Sequence, residues 1–374
     1  MDDEWHRVPE RDRVRGGGRA LALLVAALLA VAAFLGFRGE LPGWPANGPD
    51  TAGSAISEPV APLDPVAVAH FVEPALVNIS TSSPPFGLGA SGSGIVLTAD
   101  GQVLTSHHVV KGAEAVTVTD VGNGLEYDAT VLGYDSGADI ALLELGNAVD
   151  LVIANVGSSS ELRMRDQVLA IGNAGGNGGT PTAITGSITN LDSTIVALNS
   201  ADLSRKALSN MLEVAAPVSS GQSGGALADR NGAVVGVITA ASGEPAREVD
   251  SQANGYAVPI DTAMRVVRQI RSGTPTDTVH IGPTATLGII ISNAEPAGTG
   301  ARVDVATYGM PAYTAGIVAG DVITAIDGRA ITTAQSLRAA LNTRRPNDPV
   351  GLAVTGADRV QRTVPVVLTV GPPN

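Results

Sequence analysis

Cysteine is missing from all 374 residues of the chain. Its absence excludes disulfides, thiol nucleophiles and cysteine-ligated metals, and leaves the redox compartment undetermined. Histidine is scarce, with five in the chain. No H-E-x-x-H segment occurs and no His or carboxylate cluster suggests a ligand set, so neither a metal nor a cofactor is implied. Aromatic residues reach only 3% and charged residues 16%. Lys and Arg number 23 against 36 Asp and Glu, a formal net charge of -13, which argues against nucleic acid as a partner. What the chain has is apolar and turn-forming material: 44% hydrophobic residues, 45 Gly and 23 Pro. That mixture supports real cores joined by many tight turns, and it fits mainly β modules better than a helical bundle.

One long hydrophobic run stands out. Ala20 to Phe37 carries no charge and approaches the roughly 20 residues that span a bilayer. Arg11, Arg13, Arg15 and Arg19 precede it, so the positive-inside rule puts the N-terminus in the cytoplasm. Residues 1–19 then read as a cytoplasmic tail and 20–37 as a transmembrane signal anchor, a single-pass helix with everything beyond it extracytoplasmic. A cleaved signal peptide, which would leave a secreted protein, is the competing reading. The run exceeds the usual apolar core of such a peptide and no clean A-x-A site follows it. Residues 38–65, rich in Pro, Gly, Ala and Ser, read as a tether.

From residue 66 the pattern is short apolar strands between turn residues. Ala99-Asp100-Gly101 and Asp229-Arg230-Asn231-Gly232 are hairpin turns, and the dense, even spacing predicts an antiparallel sandwich or a pair of barrels. The series ends in a helix, with Asp261 expected as its N-cap, Met264, Val267 and Ile270 on one face and Gly273 at its C-terminal end. A domain over 66–272 is expected, then a linker over 273–283 holding His280, then a small α/β domain over 284–374.

Chemistry centres on "SSGQSGGAL", Ser219 to Leu227. Ser223 among glycines is either a nucleophile or a polar turn, since glycine supplies positive φ without steric cost. A serine hydroxyl needs a base to take its proton, and the base needs an orienting acid. His6 lies in the tail, His70 where the first domain begins and His280 in the second linker, which leaves His107 and His108 at a strand end. Asp139 precedes an apolar strand about thirty residues later. The order His, Asp, Ser within one β-rich domain makes three unrelated surface residues a poor explanation. The rival signature that "GQSGG" satisfies, the G-x-S-x-G elbow of esterases, needs a helix after the serine and a histidine downstream. A hairpin follows instead.

Taken together, "VEPALVNIST", "GSGIVLTADGQVLTSHHVV", "DATVLGYDSGADIALLEL", "AIGNAGGNGGTP" and "GQSGGALADRNGAVVGVITA" resemble, in order, the HtrA/DegP family of serine proteases, and most nearly its actinobacterial secreted branch. The resemblance implies a chymotrypsin-like double β-barrel followed by a PDZ domain, and an endopeptidase that acts on misfolded or unfolded proteins. The family's TNxHV motif falls on Thr105 to Val109, which makes His108 the general base. Asp139 takes the orienting role, Ser223 attacks the scissile carbonyl, and the N–H groups of Gly221 and Ser223 form the oxyanion hole. Family members are commonly trimers, so a homotrimer is implied. One position departs from the pattern: Gln222 stands where the family usually has Asn or Asp. That departure sustains a second reading, a PDZ-based peptide-binding or chaperone protein whose protease domain is inactive or rarely activated.

Six residues before the serine, where trypsin-like enzymes carry an aspartate for basic side chains, this chain has Pro217. With the small apolar wall around Ile238, Thr239 and Ala240, which are expected to pair with the substrate backbone, cleavage after small or medium aliphatic residues is predicted. In the last domain, "AGIVAGDVITAIDG" and "TTAQSLRAALN" resemble the PDZ pattern, with Thr332 or Thr333 as helix N-cap. The loop formed by Leu287, Gly288, Ile289 and Ile290 matches the family's carboxylate loop, so peptide C-termini are the expected ligand, added as a strand to the sheet.

Overall fold

The computed structural model describes residues 25–31, 62–83, 88–198, 205–239, 255–294 and 299–373. Residues 25–31 are helical and exposed. They lie inside the expected anchor, whose other residues, 20–24 and 32–37, fall outside the described residues, as do the tail 1–19 and residues 38–61 of the tether. Among the described residues no helix is long and apolar enough to cross a membrane.

The larger unit begins at Pro62, and its first element is a helix where the sequence pattern suggests strands. Helix α1 (Pro65–Val72) starts at Asp64, whose carboxylate accepts from the Val66 and Ala67 N–H groups at 3.0 and 3.1 Å, with Pro65 in the first turn. These are the capping chemistry and the fixed φ that favour a helix start. Val68, Ala69 and Val72 face inward, whereas Val66 and Phe71 are exposed.

Six strands follow: β1 (Leu76–Ser83), β2 (Leu88–Val96), β3 (Gln102–Thr105), β4 (Ala115–Asp120), β5 (Glu126–Asp135) and β6 (Ile140–Leu145). They run β5-β4-β1-β2-β3-β6, and pairing of β5 with β6 closes the ring. Val77, Ile79, Val103, Tyr134 and Leu143 fill its interior. The short helix α2 (His107–Val110) leaves the end of β3.

The second barrel uses β7 (Gln167–Gly172), β8 (Thr182–Leu198), β9 (Arg205–Val214), β10 (Ala226–Ala228), β11 (Val234–Thr239) and β12 (Gly255–Pro259), closed in the order β10-β11-β12-β9-β8-β7. Between β10 and β11 the Asp229 carboxylate accepts from Asn231 N–H at 2.8 Å and Ala233 N–H at 2.9 Å. That turn makes the segment after Ser223 a hairpin. One apolar cluster joins Leu76, Ile95 and Leu142 of the first barrel to Leu169, Ile171 and Val237 of the second.

Helix α3 (Ile260–Arg271) buries Ala263, Val266, Val267 and Ile270 against the same cluster. Its N-cap is Pro259, which corrects the expectation for Asp261. Asp261 sits inside the first turn, and its carboxylate accepts from Ser158 Oγ, Ser159 Oγ and Ser160 N–H at 3.0, 2.9 and 3.0 Å. Gly273 has a φ of 69° and closes the C-terminal end. The stretch expected as a bare linker contains β13 (Val279–Ile281), which pairs antiparallel with β5. Three residues are too few for a period-two signal, so the sequence hides this strand. His280 on it is buried.

The C-terminal fold pairs β14 (Thr284–Thr286) with β21 (Thr369–Gly371) and arranges β15 (Ile289–Asn293), β16 (Ala301–Ala306), β17 (Val322–Ile326), β19 (Pro349–Thr355) and β20 (Gln361–Val367) in that order, with β18 (Arg329–Ala330) against β17. Asp327 and Gly328, both at positive φ, turn the chain between β17 and β18. A four-residue helix α4 (Pro311–Thr314) precedes helix α5 (Ala334–Asn342), which is capped by Thr333 in a box with Ser336.

Candidate active site

Valines at 109 and 110 are buried and pull α2 into the first barrel, so the two histidines before them have fixed surroundings. Asp139, one residue before β6, has a φ of 56°, a left-handed conformation that aspartate tolerates better than most residues. That conformation aims two of its groups at α2. Its carbonyl accepts from His107 N–H at 3.1 Å, and its Oδ1 accepts from His108 N–H at 3.0 Å. Oδ2 lies 2.8 Å from His108 Nδ1. With Nδ1–H donating to the carboxylate, Nε2 of a neutral His108 carries the lone pair and can accept a proton.

Burial works against charge on His108, but the charge of Asp139 and its hydrogen bond outweigh that and raise the pKa above the ordinary imidazole value. Burial likewise works against the Asp139 carboxylate, and the charge and hydrogen bonds of His108 overcome it and hold its pKa below the usual range. His107 behaves in the opposite way. It is buried, its pKa is lowered to about 3 chiefly by that burial, and it stays neutral beside the partner that charges. Its ring stacks on Tyr134 at 4.6 Å, and Tyr134 meets His280 at 5.1 Å. The two His280 nitrogens each lie 3.0 Å from a carbonyl, those of Asn342 and Gly282.

The serine comes from the second barrel, on a turn before β10. Gly221 has a φ of 91°, and a Cβ there would overlap the Asn173 carbonyl. Gly224 has a φ of 84°, and a Cβ there would overlap the Ser93 carbonyl and Thr105 Oγ1. Both positions therefore require glycine for space as well as for φ. Ser223 C=O accepts from Ser93 N–H at 2.8 Å and Gly224 N–H donates to Ile238 C=O at 2.7 Å. Ser106 Oγ donates to the same Ile238 carbonyl at 3.2 Å, and Thr105 Oγ1 donates to the Ser93 carbonyl at 2.7 Å. The two residues that introduce α2 thus grip the strands that seat Ser223.

Gln222 is fully buried. Its Oε1 accepts from Ser219 N–H at 2.9 Å and its Nε2 donates to Thr182 C=O at 3.2 Å. The amide is satisfied at both ends, one within the loop and one on β8, where a shorter Asn would have to reach farther.

The other residues singled out in the sequence divide. Pro217 is exposed on the segment leading to the turn. Ile238 has no backbone group left for a substrate strand, since its N–H donates to Gly225 C=O at 2.8 Å and its carbonyl holds Gly224 and Ser106. Its part is to seat the serine turn, which corrects the substrate-pairing expectation for it. Thr239 is buried, and its Oγ1 donates to Asp139 Oδ2 at 3.3 Å, a contact with the acid that no sequence pattern signalled. Ala240 lies outside the described residues. In the C-terminal fold Leu287 is buried in the core, Ile289 is half-buried and Ile290 is exposed. Gly288 N–H already donates to Thr286 Oγ1 at 3.1 Å, and β15 is an outer strand of its sheet. Among the described residues no group of three or more His, Cys, Asp or Glu side chains could hold a metal ion.

A trypsin-like peptidase domain model matches residues 92–237, and a PDZ domain model matches residues 285–366. The serine protease PepD of Mycobacterium tuberculosis is 31% identical over 96% of this chain and 79% of its own length. The chain belongs to the HtrA/DegP family of serine proteases. It is a serine endopeptidase with a trypsin-like domain and a PDZ domain. The periplasmic serine endoprotease DegP of Escherichia coli K12 is 32% identical over 71% of this chain, which spans 53% of that relative. Among solved structures, the HtrA-type protease AlgW with a tripeptide is 26% identical, covers 83% of this chain and 98% of its own, and superposes with a TM-score of 0.47.

Proposed function

We propose that this HtrA-family enzyme is an extracytoplasmic protease that degrades misfolded or unfolded proteins, held to the membrane by residues 20–37. Its protease domain spans 66–272 and its PDZ domain 284–374. Ser223 attacks the scissile carbonyl while His108 Nε2 takes the hydroxyl proton and later returns it to the leaving amine. Asp139 keeps His108 in the correct tautomer and stabilises the imidazolium that forms. The N–H groups of Gly221 and Ser223 hold the oxyanion. The observation that carries this reading is Asp139, which makes three bonds to the His107–His108 segment, while Thr105 and Ser106 just before that segment share Ser93 and Ile238 as anchors with the serine turn.

Substrate is taken after small or aliphatic residues beside Pro217, pairing with Thr239 and Ala240. The PDZ domain receives peptide C-termini at the loop from Leu287 to Ile290, along the free side of β15. The protein works as a homotrimer built through its protease domains. In support, Val66 and Phe71 on α1 and Val152 and Ile153 beside it are all exposed, an apolar surface that a second copy would cover. The inactive, peptide-binding alternative loses its main support, because the Gln222 amide is bonded at both ends, to Ser219 in its loop and to Thr182 on β8.

The test compares full-length protein with its Ser223→Ala variant on casein. Wild type is expected to hydrolyse casein, and the variant to lose about 10⁶ in kcat, the scale on which removing a triad nucleophile acts. Equal silence or equal activity in the two would overturn the proposal.

A further inference from the structure

Peptide groups are planar and trans, so their C=O and N–H point in opposite directions, and whatever holds a carbonyl also sets the direction of the N–H beyond it. Three consecutive carbonyls on the serine turn are held in this way. Ser220 C=O accepts from Gly175 N–H at 2.8 Å, which aims Gly221 N–H, and Gln222 C=O accepts from Gly225 N–H at 2.9 Å, which aims Ser223 N–H. Between them, Gly221 C=O accepts from the hydroxyl of Ser93 at 2.9 Å. The same hydroxyl accepts from Asn173 N–H at 2.8 Å. Asn173 C=O in turn accepts from Gly176 N–H at 2.9 Å, which shapes the turn that carries Gly175.

We propose that Ser93 is a positioning residue for the oxyanion hole, a side chain that locks the Gly221–Gln222 peptide and ties it to the 173–176 turn. The inference rests on the reading of Gly221 and Ser223 N–H as the oxyanion donors. Glycine at 221 has no Cβ to restrict its rotation; the N–H end of that peptide makes a local bond, Gln222 N–H to Ser219 C=O at 3.2 Å, and Ser93 holds its carbonyl end at 2.9 Å. Ser93 is 1% exposed, hence no solvent can substitute for it. A hydroxyl serves because it donates to one backbone group and accepts from another at once. Alanine there would leave a buried carbonyl and a buried N–H both unpaired.

Wild type, Ser93→Ala, Ser93→Cys and Ser223→Ala full-length proteins are compared on a peptide that spans a bond the wild-type enzyme cleaves in casein. Two inhibitors of the same sequence are added: a peptide aldehyde, whose hemiacetal oxygen occupies the oxyanion hole, and a non-covalent peptide amide. Loss of one direct donor costs about 10²–10³ in kcat. Ser93 acts at one remove, so Ser93→Ala is expected to lower kcat about tenfold or more with KM within about twofold. Aldehyde inhibition should weaken in parallel with kcat while amide inhibition holds. Ser93→Cys, near in size but with a weak S–H donor, should show the same split to a lesser degree, and it carries the test if the alanine variant does not fold. Wild-type kcat and aldehyde affinity in the variants would overturn the proposal, as would a loss shared equally by KM and both inhibitors. A Ser223→Ala protein that cleaves like wild type would instead refute the nucleophile on which the inference stands.

Discussion

His108 and Asp139 come from the first barrel and are joined by side-chain chemistry: an ion-pair contact at 2.8 Å, with Asp139 further bonded to the His108 backbone and to Thr239. Gly221, Gln222 and Ser223 come from the second barrel, where the carbonyls of Ser220, Gly221 and Gln222 are held by donors from Gly175, Ser93 and Gly225, and the Gln222 amide by Ser219 and Thr182. The first arrangement is set by which residues are present. The second is set by conformations that only particular residues permit, and by partners far away in sequence. The two halves should therefore fail differently. Damage to the first should change proton chemistry, and damage to the second should change transition-state binding while leaving the base intact.

Among changes that separate the two halves, the largest effect is expected from Asp139→Asn. The change keeps the shape but favours the wrong His108 tautomer, and triad enzymes lose about 10⁴ in kcat from it. It also gives a pH signature. His108 must be neutral to act as base, and its pKa is raised above the ordinary 6.5 because Asp139 outweighs burial. In wild type, kcat/KM should therefore climb as pH rises through a value above 6.5. Without the carboxylate only burial acts on the ring, so the acid limb should move to lower pH. A pH–rate profile with an unmoved limb would mean that Asp139 does not set the charge of His108.

Next in size is Gly221→Ala. A Cβ there meets the Asn173 carbonyl and Gly176 N, at a φ of 91°, so the peptide whose N–H we propose as an oxyanion donor must move. A fall in kcat of about 10²–10³ is expected, the cost of one lost donor. The acid limb should stay where it is, because nothing touching His108 changes. A shifted limb would show that the two halves are not separable.

This division also explains what the sequence revealed. His108, Asp139 and Ser223 stood out in the sequence because a nucleophile, a base and an acid each demand a particular side chain, and the structure joins the first two at 2.8 Å. The barrels were legible from strand spacing. What stayed hidden was mostly backbone. The positive φ of Asp139, the spent N–H and carbonyl of Ile238 and the three-residue β13 leave no compositional mark. Helix α1 was hidden because its apolar residues also suit a strand. Asp261 looked like an N-cap because it opens the helical pattern, yet its carboxylate serves the serines at 158 and 159 and the Ser160 N–H.

The smallest effect, and the sharpest test of the division, is Thr239→Val. Thr239 belongs to the second barrel but donates to Asp139 Oδ2, so its side chain links the acid to the other half by a hydrogen bond. Valine keeps the volume and removes the donor. At 3.3 Å the bond is long, and Asp139 retains its contacts with His107 and His108. A typical hydrogen bond contributes about 0.5–1.5 kcal/mol, and the low end of that range corresponds to a loss of about two- to fivefold in kcat. The acid limb should change little, since the pair that sets the His108 pKa remains. Steady-state kinetics across pH on the same peptide would measure both quantities. A loss approaching that of Asp139→Asn would mean that the second barrel holds the catalytic base as firmly as the first does, and the contrast between the halves would fail at this residue.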